Sequence, residues 1–187
     1  EISACLVGSE MCIRDRLSAM PLLPGHALAE TVAGMPDAAP YDESVSDAAY
    51  AQALEHTIAQ LEPGRKVLAV FGANWCHDSR ALAGWLTSDA FEPLLRDHFE
   101  VVFIDVGHPQ TGEGRNLDLA ARYGVTDIEG TPNLLVIDSD GALVNTPQSA
   151  KGWRNAASRS EDAIYAVLEG YDSDADASDT AAIGAAG

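Results

Sequence analysis

Two kinds of apolar patterning alternate along the chain. Short unbroken runs, Lys66-Val67-Leu68-Ala69-Val70-Phe71 and Val101-Val102-Phe103-Ile104-Asp105-Val106, are partly β-branched and read as buried strands. Leu134-Leu135-Val136-Ile137 is a third, and Asp138-Ser139-Asp140-Gly141 turns it into Ala142-Leu143-Val144 as a hairpin. Elsewhere the apolar positions fall at helical spacing. Tyr50, Leu54, Ile58 and Leu61 share one face of a helix that Asp47 caps and Pro63-Gly64 stops. Arg80 to Leu86 continues the pattern, and Phe91, Leu94, Leu95 and Phe99 repeat it behind a cap at Thr87-Ser88-Asp89. Pro93 fits that helix only in its first turn. Asn116 to Gly124 reads as a short helix ended by glycine. Ala163, Ile164, Val167 and Leu168 form the last helix, capped by Ser158 or Ser160. This order predicts parallel strands joined by crossover helices and closed by a hairpin, a layered α/β domain.

The flanks lack such periods. Residues 30–46 are rich in Ala, Pro, Asp and Ser and are expected to form a linker or surface arm. Residues 172–187 are small and acidic and read as a disordered tail, leaving 47–171 as the domain. At 187 residues the chain suits one domain with tails, large enough to bury a real core. Its formal charge of -18 and absence of a basic cluster argue against nucleic acid or an anionic membrane as partner. No apolar run is long enough to span a bilayer.

The first residues change the cysteine count. Leu6-Val7-Gly8-Ser9-Glu10-Met11-Cys12-Ile13-Arg14-Asp15-Arg16 resembles a translated transposase adapter from sequencing-library preparation, and Glu1 to Cys5 fits its flank. Residues 1–16 are therefore set aside from fold reasoning. Cys5 and Cys12 go with them, so Cys76 stands as the single native cysteine. Residues 17–29 are apolar and end Ala27-Leu28-Ala29, which resembles the last part of a secretory signal cleaved after Ala29. Export, to the periplasm in a bacterial setting, is the expectation, with the cytoplasm as the alternative. One cysteine supplies no intramolecular disulfide in either compartment.

The chemistry centres on Phe71-Gly72-Ala73-Asn74-Trp75-Cys76-His77-Asp78-Ser79. Cys76 lies where a strand hands over to a helix, and the unpaired amides and positive dipole end of a helix favour a thiolate there. Downstream, Gly130-Thr131-Pro132 immediately precedes an apolar strand. Trp-Cys-x-x at such a junction, with this second motif, resembles the thioredoxin family over roughly residues 47–170. The resemblance implies a thioredoxin-like three-layer α/β/α sandwich with a central mixed sheet. It also implies a cis Thr131-Pro132 bond facing the cysteine, with the backbone of Thr131 bonding extended peptide.

Two departures matter. Ser79 replaces the second, resolving cysteine of the family, and Val70 stands where many members carry a buried aspartate. The expected activity is thiol–disulfide exchange at a monothiol site, Cys76 forming mixed disulfides that an external thiol resolves. Cys76 and Ser79 are the expected catalytic pair, Trp75, His77 and Asp78 their neighbours, Thr131 and Pro132 the substrate edge. His77, once protonated, would help hold a thiolate; Asp78 would oppose the thiolate but, as a partner of His77, would also favour the protonated imidazole, so the two effects have no net sign from sequence. Protein or peptide thiols and disulfides are the expected partners, with glutathione one candidate outside thiol. Two alternatives share the fold: a non-catalytic peptide-binding module, and a metal- or cofactor-delivery partner using Cys76 as a soft ligand. No cofactor is expected. His77, His98 and His108 with Asp105 match no ligand template, so no metal site is expected either. Gly112-Glu113-Gly114 lacks the strand and following glycine of a dinucleotide loop.

Overall fold

The structure is a computed structural model, and it describes residues 35–172. The adapter-like and signal-like segments, and all but the first residue of the acidic tail, lie outside the described residues. The elements run α1 (Asp47–Ala59), β1 (Lys66–Gly72), α2 (His77–Leu86), α3 (Glu92–His98), β2 (Phe99–Asp105), β3 (Gly107–His108), β4 (Glu113–Gly114), α4 (Leu117–Arg122), β5 (Asn133–Ile137), α5 (Pro147–Lys151) and α6 (Glu161–Asp172).

Strand β1 is central because all seven of its residues are buried, leaving both faces free to pack. It pairs in parallel with β2, from Lys66 opposite Phe99 to Gly72 opposite Asp105. On its other edge it pairs antiparallel with β5, from Val67 opposite Ile137 to Phe71 opposite Asn133. The sheet is therefore mixed, in the order β2-β1-β5. Side chains alternate across it, so Val67, Ala69 and Phe71 join Leu135 and Ile137 on one face. There they meet Tyr50 and Leu54 of α1 and Leu119 and Ala120 of α4. Leu68, Val70, Leu134 and Val136 point the other way, into Leu82 and Leu86 of α2, Leu94 of α3, and Ile164 and Leu168 of α6. Each such fully buried aliphatic side chain contributes about 1.5–3 kcal/mol of transfer free energy. Helices on both faces of a mixed sheet make the three-layer thioredoxin-like α/β/α sandwich.

Several local expectations are corrected. The cap of α1 is Ser46 rather than Asp47: its extended backbone lets Oγ accept from the Ala49 amide, and Asp47 becomes the first helical residue. Helix α3 begins at Glu92 behind Phe91, with Pro93 in its first turn, and Ser88 instead donates its hydroxyl to the Trp85 carbonyl. Phe99 leaves that helix and opens β2. Of the two serines expected to cap α6, Ser160 does so, accepting from the Ala163 amide. The hairpin after β5 shrinks to a bridge between Ile137 and Leu143. Asn145 is the reason, because its side chain accepts from the Val136 amide and donates to the Leu134 carbonyl, taking positions a strand would use.

The largest difference lies before α1. Residues 35–46 hold Tyr41, which is 1 % exposed and packs in the same core cluster as α2. Its ring lies over Gly72, where any Cβ would collide with it, and meets Phe103 edge-on at 5.6 Å. The Ala38 amide bonds the Arg80 carbonyl, Arg80 pairs with Asp37 at 2.9 Å, and Gly84 lets the Pro36 backbone lie against the helix. This stretch straps α2 from outside while planting one aromatic ring beneath it.

Candidate functional site

Cys76 is the residue where β1 has ended and α2 begins. Its backbone is extended, φ −86° and ψ 120°, the conformation of an N-cap, and its amide bonds back to Ala73. The thiol takes no bond from the helix's first-turn amides. It points instead to Thr131 and donates to that carbonyl over 3.5 Å, across 55 residues of chain. The Thr131–Pro132 peptide bond is cis, and both residues are buried at the start of β5. Asn133 holds the turn by donating to the Gly130 carbonyl at 2.8 Å. The sulfur is half-buried and unbonded to any other cysteine.

The neighbours of Cys76 divide their roles. Trp75 is 40 % exposed, and its indole N–H donates to the Gly107 carbonyl at 2.9 Å. His108 stacks on the same ring, centroids 4.9 Å apart and planes 10° from parallel. His77 is exposed at the first position of α2. Asp78 turns away from a pairing role with His77: its Oδ1 accepts the Ala157 amide at 2.9 Å, tying α2 to the 3-10 turn before α6. Ser79, three residues after the cysteine, is fully buried, and its Oγ has no hydrogen-bond partner.

Behind this row lies a polar cluster that sequence reasoning missed. Tyr41 and Asn74 exchange backbone-to-side-chain bonds, and the Tyr41 hydroxyl donates to the Ser79 carbonyl at 3.3 Å. Burial pushes the Tyr41 phenol far above the ordinary tyrosine range, with the charges of Cys76 and Asp105 adding to the shift. The hydroxyl therefore stays neutral at any physiological pH. Asp105, at the end of β2, is 1 % exposed. Burial raises its carboxyl above the usual range, while the Gly107 amide and the Arg115 guanidinium pull it back. Arg115 reaches Asp105 at 3.4 Å and also bonds Asp47, the carbonyls of Glu43 and Val45, and the face of Tyr50. Through Gly107 the carboxylate fixes the start of the β3–β4 hairpin, which carries His108 to Trp75. No sequence period marks Tyr41, Asn74 or Arg115. A tyrosine isolated in a polar arm was the one available signal.

The three histidines weighed as metal ligands go to three places. His77 opens α2, His108 lies on Trp75, and His98 pairs with Asp172 at the opposite end of β2. Among the described residues no group of three or more His, Cys, Asp or Glu is arranged to hold a metal ion, and no helix is long and apolar enough to cross a membrane.

A cysteine capping the helix after a central strand, facing a cis-proline turn across a mixed sheet, defines a thioredoxin-like protein. Residues 46–139 match the family profile described as thioredoxin-like, and the chain belongs to that family. Among solved structures it is similar to that of a disulphide isomerase from Xylella fastidiosa Temecula1. The two share 34% identity with a TM-score of 0.56, over 71% of this chain and 96% of that one. No curated protein matches the chain by sequence.

Proposed function

We propose that this chain performs thiol–disulfide exchange on protein or peptide clients, with Cys76 as the attacking sulfur. The observation that supports the reading is the pairing of Cys76 Sγ with the Thr131 carbonyl, 3.5 Å away on the turn that opens β5. An extended client laid along Thr131 and Pro132 would bring its own disulfide to the half-buried sulfur. Trp75 and His108 form a wall beside it.

The Cys76 thiolate attacks one sulfur of a client disulfide. The client S–S bond breaks, a Cys76–client disulfide forms, and the other client sulfur leaves as a thiolate. Ser79 carries no sulfur, so another thiol must resolve the adduct. A thiolate of the same client attacks the client sulfur and expels Cys76, which shuffles a disulfide with no net oxidation or reduction. A small thiol such as glutathione does the same and leaves a client–glutathione disulfide. A second small thiol then completes reduction, leaving two client thiols and one oxidised small-thiol pair. Isomerisation thus needs one protein sulfur only, in keeping with the structural relative being called a disulphide isomerase. Export guided by residues 17–29 would take the protein where client disulfides persist.

The test is to mix the protein with a client of scrambled disulfides, quench in acid and weigh the products by mass spectrometry. Wild type should gain the client mass, Cys76→Ser should not, and added glutathione should remove the adduct. If Cys76 reacts no faster than an unperturbed thiol, the reading falls and peptide docking without exchange replaces it. Stoichiometric metal retained by wild type and lost in Cys76→Ser would instead favour metal delivery.

A further inference from the structure

Among the described residues, every arginine but one is engaged. Arg65, Arg80, Arg96, Arg115, Arg122 and Arg159 each hold a carboxylate or a backbone oxygen. Arg154 joins no ion pair and no hydrogen bond. A guanidinium offers five donors in a planar fork, and in a chain of formal charge -18 carboxylates are plentiful. This one lies instead against Gly130, where an added Cβ would sit 3.2 Å from Arg154 Nε and 3.4 Å from Cζ. Gly130 immediately precedes Thr131 and the cis Pro132.

The Arg154 side chain is exposed, but the loop that carries it is fixed. Trp153 beside it is 1 % exposed, and Ala156 two residues on is fully buried. The Ala157 amide donates to Asp78 of α2 at 2.9 Å, so the loop is tied to the helix that Cys76 starts. The arginine is thereby brought to the same turn that the thiol faces. With Asp127, Glu129, Gln148 and Lys151 it lines a groove of about 380 Å³. Lys151 is committed there, its Nζ donating to the Thr126 carbonyl, and the Thr126 hydroxyl donates to Asp127. Neither Asp127 nor Glu129 pairs with the guanidinium.

We propose that Arg154 sets substrate specificity by pairing with a carboxylate on the molecule that exchanges with Cys76. The inference rests on exchange at Cys76 and names its substrate class: disulfides with a carboxylate one or two residues from the reacting sulfur. Cys76 Sγ meets the carbonyl of Thr131, and the guanidinium covers the residue before it. An extended chain advances about 3.3 Å per residue, so a carboxylate that close to the client sulfur reaches the guanidinium. The planar fork takes both carboxylate oxygens in parallel. The acidic surface repels such a group elsewhere, and Arg154 reverses the sign of the field at this turn. Two sources carry the chemistry, an Asp or Glu of a protein client and the terminal carboxylates of a small thiol such as glutathione. The bonds made and broken in exchange are unchanged.

The test compares wild type, Arg154→Gln and Arg154→Lys in the rate of mixed-disulfide formation on Cys76, read by quenched mass spectrometry. One pair of probes is a peptide disulfide with Glu or Gln beside its cysteine. The other is oxidised glutathione and its fully esterified form. Each rate is divided by that of the same probe with a small free thiol. Wild type should favour the carboxylate member of one or both pairs about three- to ten-fold, the scale of a partly exposed ion pair with good fork geometry. High salt should shrink that preference. Arg154→Gln should erase it and Arg154→Lys keep part of it, while all three proteins unfold at the same temperature, since Arg154 has no bond to lose. The pair that shows the preference identifies the source of the carboxylate. Equal rates within both pairs in wild type overturn the proposal, and so does a preference that survives Arg154→Gln. If wild type forms no adduct with any probe, the exchange reading falls, and the labelled Glu and Gln peptides are compared for binding to Cys76→Ser by fluorescence anisotropy. Tighter binding of the Glu peptide that Arg154→Gln abolishes keeps the role of Arg154, and equal affinities end it.

Discussion

Asn74 and Tyr41, 33 residues apart, exchange two hydrogen bonds: the Tyr41 amide donates to Asn74 Oδ1 at 3.1 Å, and Asn74 Nδ2 donates to the Tyr41 carbonyl. Asn74 lies two residues before the cysteine, so the arm is joined to the loop that shapes the site. The Tyr41 ring beneath is 1 % exposed, and replacing a buried aromatic by alanine typically costs about 3–5 kcal/mol. Tyr41→Ala should lower unfolding stability in urea by that amount. Tyr41→Phe should lose about 1 kcal/mol, the value of its one long hydrogen bond to Ser79. A loss below about 1 kcal/mol for Tyr41→Ala would mean that the arm does not belong to the core.

Gly72 tests the same contact from the opposite side. A Cβ there would fall inside the Tyr41 ring. Gly72→Ala should therefore destabilise by about 1–3 kcal/mol, as overpacking does. In a Tyr41→Ala background the ring is gone, and the same substitution should cost much less. A double-mutant cycle should show a coupling of at least about 1 kcal/mol, whereas simple additivity would place the ring elsewhere.

These contacts also mark where the sequence stops being legible. β1 was readable because an unbroken apolar run between polar flanks has few other solutions. The site was readable because Cys76 and Pro132 each sit at a strand end whose position the run fixes. Nothing comparable announces Tyr41. One aromatic among Ala, Pro and Asp has no period, and its burial depends on Gly72 being small. Arg115 is opaque for the same reason, since its partner Asp47 lies 68 residues away. Asn145 defeated the hairpin by a side chain imitating a strand, which residue-level patterning does not register. Asp78 looked like a partner for His77 because they are adjacent. A helix start sends neighbouring side chains in different directions, and Asp78 faces Ala157.

The Asp105–Arg115 pair gives stability a pH dependence whose sign is fixed. Burial holds the Asp105 carboxyl above its ordinary value, so the folded state keeps a proton that the unfolded chain has already released. Between the unfolded and folded values, stability therefore falls as pH rises, and above both the cost is constant. Arg115 opposes this rise, as does the Gly107 amide, while Glu43 adds to it. Arg115→Met should destabilise at all pH values, because bonds to Asp47, Glu43 and Val45 are lost. Its deficit relative to wild type should be larger near neutral pH than at about pH 4, where Asp105 is nearer its protonated form. Adding Asp105→Asn should remove that extra deficit. A deficit independent of pH would show that Arg115 acts on the arm and not on the carboxylate.

Ser79→Cys asks whether the missing sulfur alone separates this site from a dithiol reductase. In wild type the mixed disulfide on Cys76 has no internal thiol to displace it, so adducts should persist until an outside thiol arrives. A cysteine at position 79 would lie on the same helical face one turn on from Cys76, at a backbone separation a disulfide can span. Attack of its thiolate on Cys76 Sγ would expel the client thiol and leave an internal bridge between Cys76 and the introduced cysteine. Ser79→Cys should therefore shorten adduct lifetime by about ten-fold or more at fixed glutathione, since an intramolecular thiol acts at high effective concentration. It should also reduce insulin-like substrates with dithiothreitol as the electron source, where wild type should be nearly inactive and Cys76→Ser silent. The measurement is adduct lifetime by quenched mass spectrometry alongside turnover of the disulfide substrate. Should Ser79→Cys form no internal bridge while its Cys76 still captures clients, burial of position 79 would be what blocks reduction, beyond the absence of sulfur.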